Sequence, residues 1–161
     1  MRRSPRSKPD ELFIRANKYA EAGNLKQAFR LYLTAAKAGD TSSQVNLGNL
    51  YDEGLGVRRN RTAAMYWYKR AYRRGDASAA NNIGVMWRKD GNYRRALYWF
   101  ERAVGLGDDE ASLEIAKHYL QIELDFSKAI LHLERVCASN RVTEAGREEA
   151  QRLLRRTNRR V

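Results

Sequence analysis

Apolar positions along this chain recur at helical spacing. In Ala64, Trp67, Tyr68 and Ala71 the steps are 3, 1 and 3, which draws one stripe on a 3.6-residue helix. The stripe belongs to a longer pattern. Ala28, Tyr32 and Ala35 stand 11, 7 and 4 residues before Gly39-Asp40. Ala64, Tyr68 and Ala71 stand at the same offsets before Gly75-Asp76, and Ala96, Phe100 and Ala103 before Gly107-Asp108. Further upstream come Ala16 with Tyr19, Gly48 with Tyr51, and Gly84 with Trp87. A weaker fourth copy follows in Ala116 with Tyr119, then Ala129, Leu133 and Val136. The spacings of 36 and 32 between Gly-Asp pairs are the mark of a stacked repeat. No segment sustains strand alternation, and the two prolines, Pro5 and Pro9, leave everything after them free to be helical.

Each unit reads as two helices. Glycine suits the left-handed position after the outgoing helix, and aspartate suits the N-cap of the next. Thr41 with Gln44 is a candidate capping box. Gly23-Asn24 and Gly91-Asn92 read as tight turns within units, and connections this short make neighbouring helices antiparallel. Small Ala28, Ala64 and Ala96 allow close approach of paired helices, with the aromatic four residues later filling the space beside them. The expected organisation is all-α: four helix pairs over about 9–40, 41–76, 77–108 and 109–141, then a capping helix over 142–157. In the cap, Ala150, Leu153 and Leu154 face inward and Arg147, Arg152, Arg155 and Arg156 face water. Residues 1–8 read as a disordered basic arm and 158–161 as a basic tail.

Asn46-Leu47-Gly48-Asn49-Leu50-Tyr51 with the loop Gly54-Leu55-Gly56-Val57 resembles the signature of Sel-one-like repeats, and Ala64 to Ala71 continues the match. The first and third units are similar to ordinary tetratricopeptide units. The resemblance covers roughly residues 10–141. It implies a right-handed α-solenoid whose first helices line a concave groove, and a function in binding other proteins rather than catalysis.

Composition narrows the chemistry. The 161 residues suit one domain of ordinary size, and 43% hydrophobic content supports a core. One cysteine, Cys137, excludes an internal disulfide, and His118 and His132 match no metal-ligand spacing. No nucleophile–base set or phosphate loop is recognisable, and Gly54-x-Gly56 belongs to the repeat loop. The expectation is no enzyme, no cofactor and no metal. The basic start has no apolar stretch behind it and no run is long enough to span a membrane, so a cytoplasmic protein with no membrane partner is expected.

The net charge of +12 is unevenly placed. Residues 58–74 hold seven cations and no acid, whereas 108–146 hold four cations and eight acids. Two candidate sites follow. The resemblance places Asn17 and Asn49 at one register position of the groove and Asn46 and Asn82 at another, with Asn81, Arg88 and Lys89 nearby. Amides both donate and accept, so a ladder of them can hold a peptide main chain. Groove positions that carry Lys and Arg in carboxylate-clamping tetratricopeptide domains are here Phe13, Ser78 and Asn82. The second candidate is an anion-binding edge made of Arg58, Arg59, Arg61, Lys69, Arg70, Arg73 and Arg74 beside Tyr66 and Tyr72. The leading reading is an adaptor that binds a peptide or an acidic protein surface. The alternative is an accessory factor for nucleic acid or another polyanion.

Overall fold

The computed structural model describes residues 8–159, and among these the chain is helical with no strand. Nine α-helices follow one another: α1 (Lys8–Glu21), α2 (Leu25–Lys37), α3 (Thr41–Glu53), α4 (Arg61–Tyr72), α5 (Ala77–Lys89), α6 (Tyr93–Gly105), α7 (Ala111–His118), α8 (Phe126–Ala138) and α9 (Glu144–Asn158). A π-helical turn, Tyr119–Glu123, extends α7. Lys8 of the expected arm already opens α1, and the rest of the arm lies outside the described residues, as do positions 160 and 161 of the tail. Among the described residues no helix is long and apolar enough to cross a membrane.

The helix boundaries follow from side chains that compete for the first free backbone N–H groups. Asn24, Asp40, Asn60, Asp76, Asn92, Asp125 and Thr143 each accept a hydrogen bond from the backbone N–H three residues later. The Thr41–Gln44 capping box does not form. Asp40 caps α3, and Gln44 turns inward to donate to the Ala36 carbonyl at 3.1 Å. Asp108 accepts from the N–H groups of Glu110 and Ala111, so an extra turn precedes α7 and that helix starts late.

The chain divides after Ala79, in the first turn of α5, into two compact units. In the first, α1 packs on α2, α2 on α3 and α3 on α4. Its core gathers Ala16, Ala28, Tyr32, Ala36, Leu47, Leu50 and Trp67, with Phe13, Phe29 and Tyr51 at the margin. In the second, α6 packs on α7, α7 on α8 and α8 on α9. Leu113, Ala116, Leu133, Val136, Val142 and Ala150 form its core, flanked by Leu153 and Leu154. The repeat aromatics Tyr32, Tyr68 and Phe100 are buried as the periodicity requires, and the last two lie against glycines. A Cβ at Gly48 would fall 2.5 Å from the Tyr68 ring, and one at Gly84 2.6 Å from the Phe100 ring. Only a residue without a side chain permits that approach.

Candidate functional site

In the first unit Asn17, Asn46 and Asn49 each bond a tyrosine hydroxyl of a neighbouring helix. The Tyr32 hydroxyl donates to Asn17 Oδ1, and Asn46 bonds the same hydroxyl. The Tyr68 hydroxyl donates to Asn49 Oδ1 at 2.6 Å. Burial raises the pKa of both phenols, so each remains a donor at neutral pH. The sequence encodes the pairing. Asn17, Asn49 and Val85 share one register position, and Tyr32, Tyr68 and Phe100 share another. Where the acceptor becomes valine, the aromatic loses its hydroxyl. This is the behaviour of a brace.

The second unit presents an open face. Arg88 of α5 pairs with Glu114 of α7, Glu114 with Lys117 at 3.3 Å, and Lys117 with Glu149 of α9 at 3.1 Å. Arg152 stands 3.9 Å from the same Glu149, so in this network three cations share two carboxylates. A cleft of about 420 Å³ lies on one side of it, walled by Tyr93, Leu97, Phe100, His118 and Ile122. A second depression of about 350 Å³ shares Glu114, Lys117 and Glu149 and is bordered by Asn81, Val85 and Leu113. The Oδ1 of Asn81 is buried there with no hydrogen-bond partner among the described residues. A buried acceptor without a donor carries a desolvation penalty that a bound N–H would relieve. Asn82, half-buried, and Lys89, exposed, stand on the same helix as Asn81 and Arg88. Arg88, expected to meet a partner's carboxylate, already has one in Glu114.

The basic segment divides between the two ends of α4. Arg58, Arg59 and Arg61 stand at its start, while Lys69, Arg70, Arg73 and Arg74 stand at its end, and twelve residues at 1.5 Å each separate them by about 18 Å. Arg59 Nε donates to the Asp52 carbonyl at 2.8 Å, and Arg74 donates to the Gly39 carbonyl. Arg70 donates to the Tyr66 hydroxyl at 3.2 Å and lies over the Trp67 ring.

Both histidines are held against neighbours, His118 while it walls the cleft. His118 Nε2 lies 3.0 Å from Glu123, and His132 stacks on Tyr119. Burial, helped by Arg135, holds the His132 pKa below its ordinary value. Burial likewise pushes the Cys137 thiol up, the opposite of what a reactive thiolate needs.

Glu114, Lys117, Glu149 and the cleft around Ile122 were not singled out from the sequence. A signal for two of them existed. Continuing the register of Asn17 and Asn49 beyond Val85 leads, in steps of 32, to Lys117 and then Glu149. The cleft itself had no such signal, because the π-turn that carries Ile122 breaks the period.

The model of the Sel1 repeat matches residues 19–40, 41–76 and 77–108. A comparison with curated proteins gives no match. Among solved structures, a Sel1 repeat protein from Oxalobacter formigenes superposes with a TM-score of 0.72 at 27% identity, over 91% of this chain and 61% of that one. The protein c5321, a protective antigen present in uropathogenic Escherichia coli strains that displays an SLR fold, gives 0.70 at 20% identity, over 79% of this chain and 30% of its own. This chain therefore spans about three fifths of the first and under a third of the second. Its fold class is that of the α-solenoid repeat proteins. With three matched repeats covering more than half of its length, the chain belongs to the Sel1 repeat family.

Proposed function

We propose that this chain is a non-enzymatic interaction module whose α5–α7–α9 face receives an extended peptide with an apolar anchor side chain. Sel1 repeats generally mediate protein–protein interaction. The observation that carries the finer reading is the pair of adjoining depressions around the Arg88–Glu114–Lys117–Glu149 network. The half-apolar cleft suits one large side chain, and the unpartnered Asn81 Oδ1 suits a main-chain N–H beside it. Tyr93, Leu97, Phe100 and Ile122 line the cleft itself, and Arg88 and Lys117 already face carboxylates, which favours an apolar anchor over the acidic one expected from net charge.

The test is selection of peptides from a displayed random library on the full chain, followed by titration against two variants. Selected peptides should share an aromatic or large aliphatic residue. Ile122→Glu, at a position already 45% exposed, should abolish their binding without lowering the melting temperature. Asn81→Ala should weaken it about ten- to hundred-fold, the worth of one unpaired buried polar group. Peptides that bind both variants as well as the parent would refute the reading.

A further inference from the structure

The exposed face of α4 offers a different chemistry from the face of the second unit, and it serves no purpose in the proposed peptide site. Its core side takes Ala64, Trp67, Tyr68 and Ala71. Thr62, Tyr66, Lys69 and Arg73 are exposed and follow the spacing i, i+4, i+7, i+11, so they form one stripe along the helix. Arg70 borders that stripe and is tied to Tyr66 by its hydrogen bond to the hydroxyl.

Two features separate this stripe from an ordinary solvated surface. The first is the absence of compensating charge. Among the described residues, no carboxylate lies within ion-pair distance of Arg58, Arg59, Lys69, Arg70, Arg73 or Arg74. The partners of Arg59, Arg70 and Arg74 are neutral: a carbonyl, a phenol with an indole face, and a carbonyl. In the second unit Arg88, Lys117, Lys128, Arg135, Arg141 and Arg152 each meet a carboxylate. The cations around α4 keep their field for an outside anion.

The second feature is the aromatic ring set among them. Tyr66 is 54% exposed, and Arg70 takes its hydroxyl rather than its ring face. The equivalent position on α6 is a useful contrast. Tyr98 is 48% exposed, but Arg102 lies over its ring at 4.8 Å, and Glu101 stands where α4 has Lys69. On α4 an accessible ring has three cations that face no carboxylate among the described residues, Lys69 and Arg70 one turn away and Arg73 two turns away. Cations spaced along a helix, with groups about 18 Å apart at its two ends, suit an extended polyanion better than a compact ion. A ring between them suits a polyanion whose units carry flat faces.

We propose that the Tyr66–Lys69–Arg70–Arg73 face of α4 binds single-stranded nucleic acid, with a base stacked on Tyr66 and backbone phosphates held by Lys69, Arg70 and Arg73. Stacking of this kind tolerates any base, so binding should show little sequence preference.

The experiment uses the full chain and a fluorescein-labelled, mixed-sequence 20-nucleotide single-stranded DNA, with the dissociation constant read by anisotropy between about 50 and 300 mM KCl. Log affinity should fall linearly with log salt. Replacing two exposed cations together, Lys69→Gln with Arg73→Gln, should reduce the slope by about 1.4, since each phosphate on a single strand contributes about 0.7. Tyr66→Ala should weaken binding about 5- to 100-fold at every salt concentration while leaving the slope unchanged. Tyr98→Ala should have no effect. Melting curves accompany each variant, and these exposed positions should leave them unchanged. Three results would each overturn the proposal: no binding at 50 mM salt, a slope unaltered by the double substitution, or wild-type affinity in Tyr66→Ala. So would equal competition by polyglutamate and unlabelled single strand, which would mean that the face reads charge alone.

Discussion

Gly48 and Gly84 stand in the middle of α3 and α5, where glycine costs about 1 kcal/mol relative to alanine. They persist because Tyr68 and Phe100 lie where a Cβ would go, and both rings are only 2% exposed and have no room to retreat. Gly105, at the end of α6, has nothing within 4 Å of its own absent Cβ. The same substitution should therefore have opposite signs. Gly48→Ala and Gly84→Ala should lower unfolding free energy by roughly 1–3 kcal/mol through overpacking, whereas Gly105→Ala should raise it by up to about 1 kcal/mol through helix propensity. Urea titrations of the three variants decide this. A stabilised Gly84→Ala would mean that the two helices can part without cost.

The fourth helix pair shows what happens when a repeat keeps its core but loses its punctuation. Ala116, Ala129, Leu133 and Val136 are buried as the register demands. The turn inside the pair is where the sequence departs. Gly23 and Gly91 take the left-handed conformation after α1 and α5, at φ 76° and 74°. After α7 the chain widens into a π-turn and puts Leu124 at φ 55°, exposed to solvent. A non-glycine residue there costs about 1–2 kcal/mol, and an exposed leucine gains no packing in return. Leu124→Gly should thus raise the stability of the full chain by about 0.5–1 kcal/mol after the added freedom of the unfolded chain is subtracted. A loss of stability in thermal melts would show that the leucine side chain contributes contacts that outweigh the strain. The exit of this pair is also rebuilt. Asn140 stands where the other units have glycine, and Ser139 with Arg135 and Arg141 converges on the buried Asp109 carboxylate.

At the scale of the whole chain, what could be read in advance was whatever repeats. The helix pairs, their caps and the buried aromatics follow from identical offsets in three units, so one physical solution serves three times. The candidate sites were less legible because they depend on differences between units. The bonds of Asn17, Asn46 and Asn49 to tyrosine hydroxyls join residues on different helices, and the Arg88–Glu114 pair spans 26 residues and a helix change. The same scale sets how stability responds to pH. Asp109 is held below the usual carboxylate range chiefly by its bond from Ser139, then by Arg141 and Arg135. Asp125 is lowered mainly by the N–H of Lys128 at the start of α8. Both bind protons less readily when folded, so their contribution is complete above pH 3.8 and is lost as pH falls through their lower folded values. His132 is lowered by burial and by Arg135, so below its ordinary 6.5 the unfolded chain gains a proton that the folded one resists. Asp108, raised by burial, works in the opposite sense and offsets part of the acid loss. On the alkaline side, burial raises Tyr32, Tyr68 and Tyr119 above 10.0, so their contribution is present below pH 10 and lost above it. The Cys137 thiol, raised above 9.0 by burial, is the first alkaline loss, so the expected curve is a plateau between about pH 6.5 and 9, a first acid decline toward pH 5 and a second below pH 4. His132→Phe, which keeps a ring on Tyr119, should abolish the first decline and leave the second in place. Equilibrium unfolding measured at half-unit steps of pH checks this. A first decline that survives in His132→Phe would assign it to the accumulating positive charge of a chain that already carries +12.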